Sequence, residues 1–114
     1  MSFKLSNIHF EESRRAADRE LSSKLIEEIR AAATSDPYVA TTQIFANTSY
    51  SISLPNAEPG TIKIMTLVSA GETSVTVNFT DGFGNADSNT FSYLGELIIF
   101  YASSRGWHTR TFLD

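Results

Sequence analysis

The side chains best suited to chemistry in this chain gather in the stretch 81–89. There Asp81, Asn85, Asp87 and Asn89 offer the oxygen ligands that Ca²⁺ prefers. The spacing is not that of an EF-hand loop, and no bidentate Glu closes it, so Asp81, Asn85 and Asp87 are weak metal candidates only. Asp and Asn beside glycine also serve any exposed turn that must reach positive φ. The two histidines, His9 and His108, fall in different segments with no acidic neighbour at ligand spacing, the pattern of ordinary histidines. There is no cysteine, which removes disulfides, thiolate nucleophiles and Cys-based zinc sites. Neither a Gly-x-Ser-x-Gly elbow nor a phosphate-binding glycine loop is present. Glu58, Glu72, Asp81, Asp87 and Glu96 could supply the carboxylate pair of a glycosidase. Most of them lie in turns, where acids serve solubility and local hydrogen bonds. The expectation is a protein that is not an enzyme and carries no cofactor.

Binding is the other chemistry open to these residues. Phe83 stands between Gly82 and Gly84, so it either anchors a partner or folds back on its own sheet. Tyr50, Tyr93, Tyr101 and Trp107 could form a sugar-stacking platform, although aromatics at strand positions more commonly fill a core or a subunit interface. Leu21, Leu25 and Ile29 recur at four-residue intervals after Ala17, which makes one apolar stripe on a helix. That stripe can pack on the chain's own β part, on a symmetry mate or on a scaffold. The interface candidates are Leu21, Leu25, Ile29, Phe83, Tyr101 and Trp107.

The elements that position these residues change character along the chain. Residues 1–36 hold 13 of the 22 Asp, Glu, Lys and Arg side chains. From Glu11 onward good helix formers dominate, without Gly or Pro, and opposite charges such as Glu20 and Lys24 sit four apart. The pattern predicts a helix over about 11–34, ended by Asp36-Pro37. Residues 1–36 then form an N-terminal α-helical arm and 37–114 a β domain. In the second part, strands are expected at 41–46 and 49–54 around Asn47-Thr48. A hairpin is expected from 61–69 and 73–80, where Val75, Val77 and Phe79 alternate with Thr76, Asn78 and Thr80. Residues 55–60 and 81–89 read as loops, 90–94 and 96–102 as strands hinged at Gly95, and 107–112 as a last strand. Trp107 and His108 must point to opposite faces, with Trp107 the core residue. The expected class is mainly β: a small antiparallel β-sandwich or partly open barrel of six to seven strands behind a helical arm.

A net charge of −4 without a basic cluster opposes a grip on nucleic acid. No run reaches the length of a membrane span, and the start of the chain does not read as a signal peptide. A soluble protein is expected. A β part this small and free of cysteine is best completed by association with copies of itself.

Within 59–112, Ile62, Lys63, Ile64, Met65, Thr66, Leu67 and Val68 precede Gly71, and Ser74, Val75, Thr76 and Val77 follow it. Next come Thr90-Phe91, Gly95, the apolar run 97–101, and Gly106-Trp107. This succession resembles a β module recurrent in tailed-bacteriophage virion accessory proteins, of the capsid decoration, cement or head-fibre type. About half the chain carries the resemblance. It implies a homo-oligomer, a trimer by capsid symmetry, that binds the major capsid protein on the capsid exterior after a soluble phase in the host cytoplasm. The alternative is a receptor- or carbohydrate-binding module of a phage fibre or tail.

Overall fold

The computed structural model describes residues 26–71 and 73–112. Nine strands lie among them: β1 Ile26–Ile29, β2 Ala33–Thr34, β3 Thr41–Ala46, β4 Tyr50–Ser53, β5 Ile62–Ala70, β6 Val75–Thr80, β7 Ala86–Phe91, β8 Leu97–Ala102 and β9 Trp107–Phe112. They form a five-stranded sheet in the order β1-β3-β5-β8-β9 and a four-stranded sheet in the order β2-β4-β6-β7. From β1 to β6 the chain alternates between the two sheets. On each return it lies parallel to the preceding strand, so β1, β3 and β5 are parallel, as are β2, β4 and β6. The last three strands add the antiparallel pairs β6–β7, β5–β8 and β8–β9.

Alternation explains the strands. In β6, Val75, Val77 and Phe79 are buried while Thr76, Asn78 and Thr80 are not. Both sheets feed one apolar cluster, with Ile44, Met65, Leu67, Ile98 and Phe100 from the first and Ile52, Val75, Val77 and Phe91 from the second. Phe100 meets Phe79 edge-on at 5.5 Å and Trp107 at 6.0 Å, tying β8, β6 and β9 together. An isolated bridge from Asp81 to Trp107 links the end of β6 to the edge of the other sheet. Gly106 lies so close to the Thr80 and Asp81 carbonyls that a β-carbon would collide with backbone there.

Four expectations are corrected. Ile26–Ile29 and Ala33–Thr34 are strands joined by a bend, not the end of a helix: the Glu27 carboxylate points inward to Lys63, a partner 36 residues away that no local helix propensity registers. The part of the expected helix before Ile26, with Leu21 and Leu25, lies outside the described residues, as do His9 and Glu72. Residues 62–70 and 75–80 do not form a hairpin, nor do β3 and β4, because each member of these pairs joins a different sheet. The sheets are mixed rather than antiparallel, and the described residues carry nine strands instead of six or seven. The expected loop 81–89 is shorter, since β7 starts at Ala86, and β7 ends at Phe91 rather than continuing to Leu94. The loop at 55–60 and the hinge at Gly95 stand where the sequence placed them. Gly95 has φ 87° and donates to the Leu67 carbonyl at 2.9 Å.

Candidate interaction surface

Pairing register fixes which side chains share a face. On the inner face of the five-stranded sheet stand Thr42, Ile44, Met65, Leu67, Ile98 and Phe100, all buried. Their neighbours project outward in rows across the strands. One row runs Ile26, Thr41, Ile64, Ile99, Arg110; the next runs Glu28, Gln43, Thr66, Leu97, Phe112; a third holds Ile62, Tyr101 and His108. Seven of these thirteen outward residues are apolar, and they are concentrated on the central strands and at Ile26 and Phe112. Ile26 (46% exposed), Ile62 (56%), Tyr101 (48%) and Phe112 (48%) are open to solvent. Phe83, 72% exposed, extends this face by meeting the His108 ring edge-on at 6.1 Å from the β6–β7 turn.

The four-stranded sheet is the opposite. Its outward residues are Thr34, Ser51, Ser53, Thr76, Asn78, Thr80, Ala86, Ser88 and Thr90, polar but for Ala86. Thr76 and Thr90 are hydroxyl neighbours at 3.1 Å. One sheet presents hydroxyls to water in the ordinary way, and the other presents branched aliphatic and aromatic groups.

A polar cluster under the first turn holds the edge of the apolar sheet. Lys63, in β5, has no exposed side-chain surface; its ammonium donates to the Val39 carbonyl at 2.8 Å and lies 3.5 Å from Glu27 Oε1. The same carboxylate accepts from Ser35 Oγ at 2.6 Å, Thr42 Oγ1 at 2.7 Å and the Asp36 N–H at 2.9 Å. Burial pushes the Glu27 carboxyl up, but these hydrogen bonds and the Lys63 charge outweigh it, and the group sits below its ordinary value. Burial also lowers Lys63, only partly offset by Glu27 and Asp36. Beside the cluster, the Tyr50 hydroxyl lies 2.7 Å from the Phe45 carbonyl and 3.0 Å from that of Ile29, and the Arg30 guanidinium stands 3.7 Å above the Phe45 ring.

The loop that offered cation ligands is occupied with its own backbone. Asp81 Oδ1 accepts from the Phe83 and Asn85 N–H groups, each at 2.9 Å, and the Asp81 N–H donates to the Asn85 carbonyl. The Asn85 and Phe83 amides hold the Asp81 carboxyl below its ordinary value. Asp87 lies in β7 opposite Phe79, and its carboxylate accepts from Ser88 N–H. Among the described residues, no group of three or more His, Asp or Glu could hold a metal ion.

The other candidates separate. Tyr101 and Phe83 are exposed on the apolar face. Ile29 (5% exposed) and Trp107 (1%) are core residues of this chain, so neither is free to contact a partner. The Trp107 indole donates to the Pro55 carbonyl at 3.0 Å. With Trp107 enclosed and Tyr50 bound to backbone, the four aromatics form no sugar platform. Sequence reasoning missed Ile62, Ile64, Leu97, Ile99 and Phe112 as surface residues. The signal was present in the run 97–101, which is apolar on both faces of one strand. No family model, curated protein or solved structure matches this chain.

Proposed function

We propose that this chain is a virion structural protein of a tailed bacteriophage, a decoration or cement protein that strengthens the capsid by bridging its subunits. The observation that carries this is the contrast between the two sheets: a hydroxyl-rich outer face on one and an apolar outer face on the other. A protein so built gains stability by contact rather than by chemistry. The two sheets act as the layers of a small sandwich whose apolar side packs against copies of itself, as a trimer where capsid symmetry governs. The charged residues before Ile26 supply the contact with the major capsid protein. Apolar burial contributes about 25 cal/mol per Å², and many equivalent copies on a shell convert modest affinity into avidity.

The test is made on particles. Virions of the encoding phage, purified by density gradient, contain the chain, and heads assembled without it release DNA at a lower temperature. Purified particles that lack the chain, or heads equally heat-resistant without it, overturn the assignment.

A further inference from the structure

The outward rows of the five-stranded sheet hold a cluster of Ile62, Ile64, Leu97, Ile99 and Tyr101, with charged groups only toward the two sides. Glu28 stands on the edge strand β1, beside Arg30 at 3.2 Å, and Arg110 stands on the opposite edge strand β9. We infer that this face is covered by a second copy of the chain, packed so that the β1 edge of one copy meets the β9 edge of the next.

Size, composition and charge all point to a copy of the same chain. Five strands spaced by about 4.8 Å and about 20 Å long present a face on the order of 480 Å². Two such faces in contact remove about 1,000 Å², the lower bound for a biological interface, as befits a contact repeated many times on a shell. The centre of the face is uncharged, so recognition rests on shape and apolar burial, and charge acts only at the rim. Each rim carries a charge the other can approach: Glu28, paired with Arg30 within its own copy, on the β1 side, and Arg110 on the β9 side. Packing β9 on β9 would bring Arg110 and His108 against their own counterparts, whereas β1 on β9 places Glu28 near Arg110. A two-fold axis parallel to the strands gives that edge order and covers the whole face with one copy; around a three-fold axis β1 also meets β9, but each face is divided between two neighbours.

This inference deepens the proposed function and rests on its assembly role, but it fails separately. Light scattering on the full chain at about 100 µM, where even a micromolar contact is saturated, is expected to give the mass of more than one copy. The double variant Ile62→Asp/Tyr101→Asp should weaken association at least about tenfold, or abolish it. Tyr93→Asp/Leu94→Asp, still more exposed but on the β7–β8 loop, should leave the mass unchanged. Both residues of the first variant are about half exposed, and an unchanged emission maximum from the enclosed Trp107 verifies that it is folded. Arg110→Glu should weaken association, and adding Glu28→Arg should restore it. A monomeric wild-type chain, or a face variant with wild-type mass, overturns the inference; failure of the charge exchange to restore association overturns the edge order. A monomer found in purified particles would sink the self-contact alone, and an oligomer absent from them would sink the virion role alone.

Discussion

Changing Glu27 to Gln removes the counter-charge of a lysine that has no exposed side-chain surface, while an amide oxygen can still accept from Ser35 and Thr42. Lys63 then keeps the Val39 carbonyl and the more distant charge of Asp36. It can remain charged and poorly solvated, or lose its proton. With an ordinary value of 10.5 and about 1.36 kcal/mol per pH unit, neutralisation at pH 7 sets a ceiling of about 5 kcal/mol on the cost. Breaking one side of a buried pair ordinarily costs about 3 kcal/mol or more, and that is the expected loss for Glu27→Gln. Lys63→Met should cost only about 1 kcal/mol, because Glu27 retains three donors and methionine fills the same space. The double variant should then lose about 2 kcal/mol rather than the 4 that additivity requires. Urea unfolding at pH 7, followed by the emission of the one tryptophan, measures all three. Two pH effects follow. The Glu27 carboxyl lies below its ordinary value of 4.5 when folded, so its stabilisation is present above that pH and fades as pH falls through the folded value. Lys63 lies below 10.5 when folded, so the unfolded chain binds more protons in that window and stability rises with pH; in Glu27→Gln this window widens toward neutrality and the deficit shrinks in mild alkali. An additive double variant, or a Lys63→Met loss as large as that of Glu27→Gln, refutes the account.

Tyr50→Phe should cost about 1 kcal/mol through the lost bond to the Phe45 carbonyl. Burial raises the Tyr50 hydroxyl above its ordinary value of 10.0, and only the protonated phenol can donate to the Phe45 carbonyl, so its contribution is held below that pH and lost as pH rises through the folded value. Thermal melts should show this alkaline loss in the wild type and a smaller one in the variant. Gly106→Ala should destabilise by about 3 kcal/mol, because the added methyl meets the backbone carbonyls of Thr80 and Asp81 rather than a movable side chain. Gly82→Ala is the comparison, since its neighbour is the exposed His108 ring, which can turn away at little cost; equal Tm losses in the two variants would contradict this.

Local pattern determined much of the strand content. Alternation at Val75, Val77 and Phe79, the opposed faces of Trp107 and His108, the loop at 55–60 and the hinge at Gly95 are all visible in the sequence, because side-chain period and turn chemistry are properties of neighbouring residues. Partner choice is not such a property. The segment 26–34 is composed of good helix formers, yet it becomes two edge strands because Glu27 finds Lys63, Ser35 and Thr42 in the assembled fold. Parallel stacking of β1, β3 and β5 likewise depends on contacts across 15 or more residues. The apolar run 97–101 shows the same division. Its composition was legible, but whether its second face met a core or solvent depended on there being no further layer among the described residues to cover it. Only the tertiary arrangement decided that Ile99 and Tyr101 look outward while Ile98 and Phe100 look in, because the facing sheet covers one side of β8 alone.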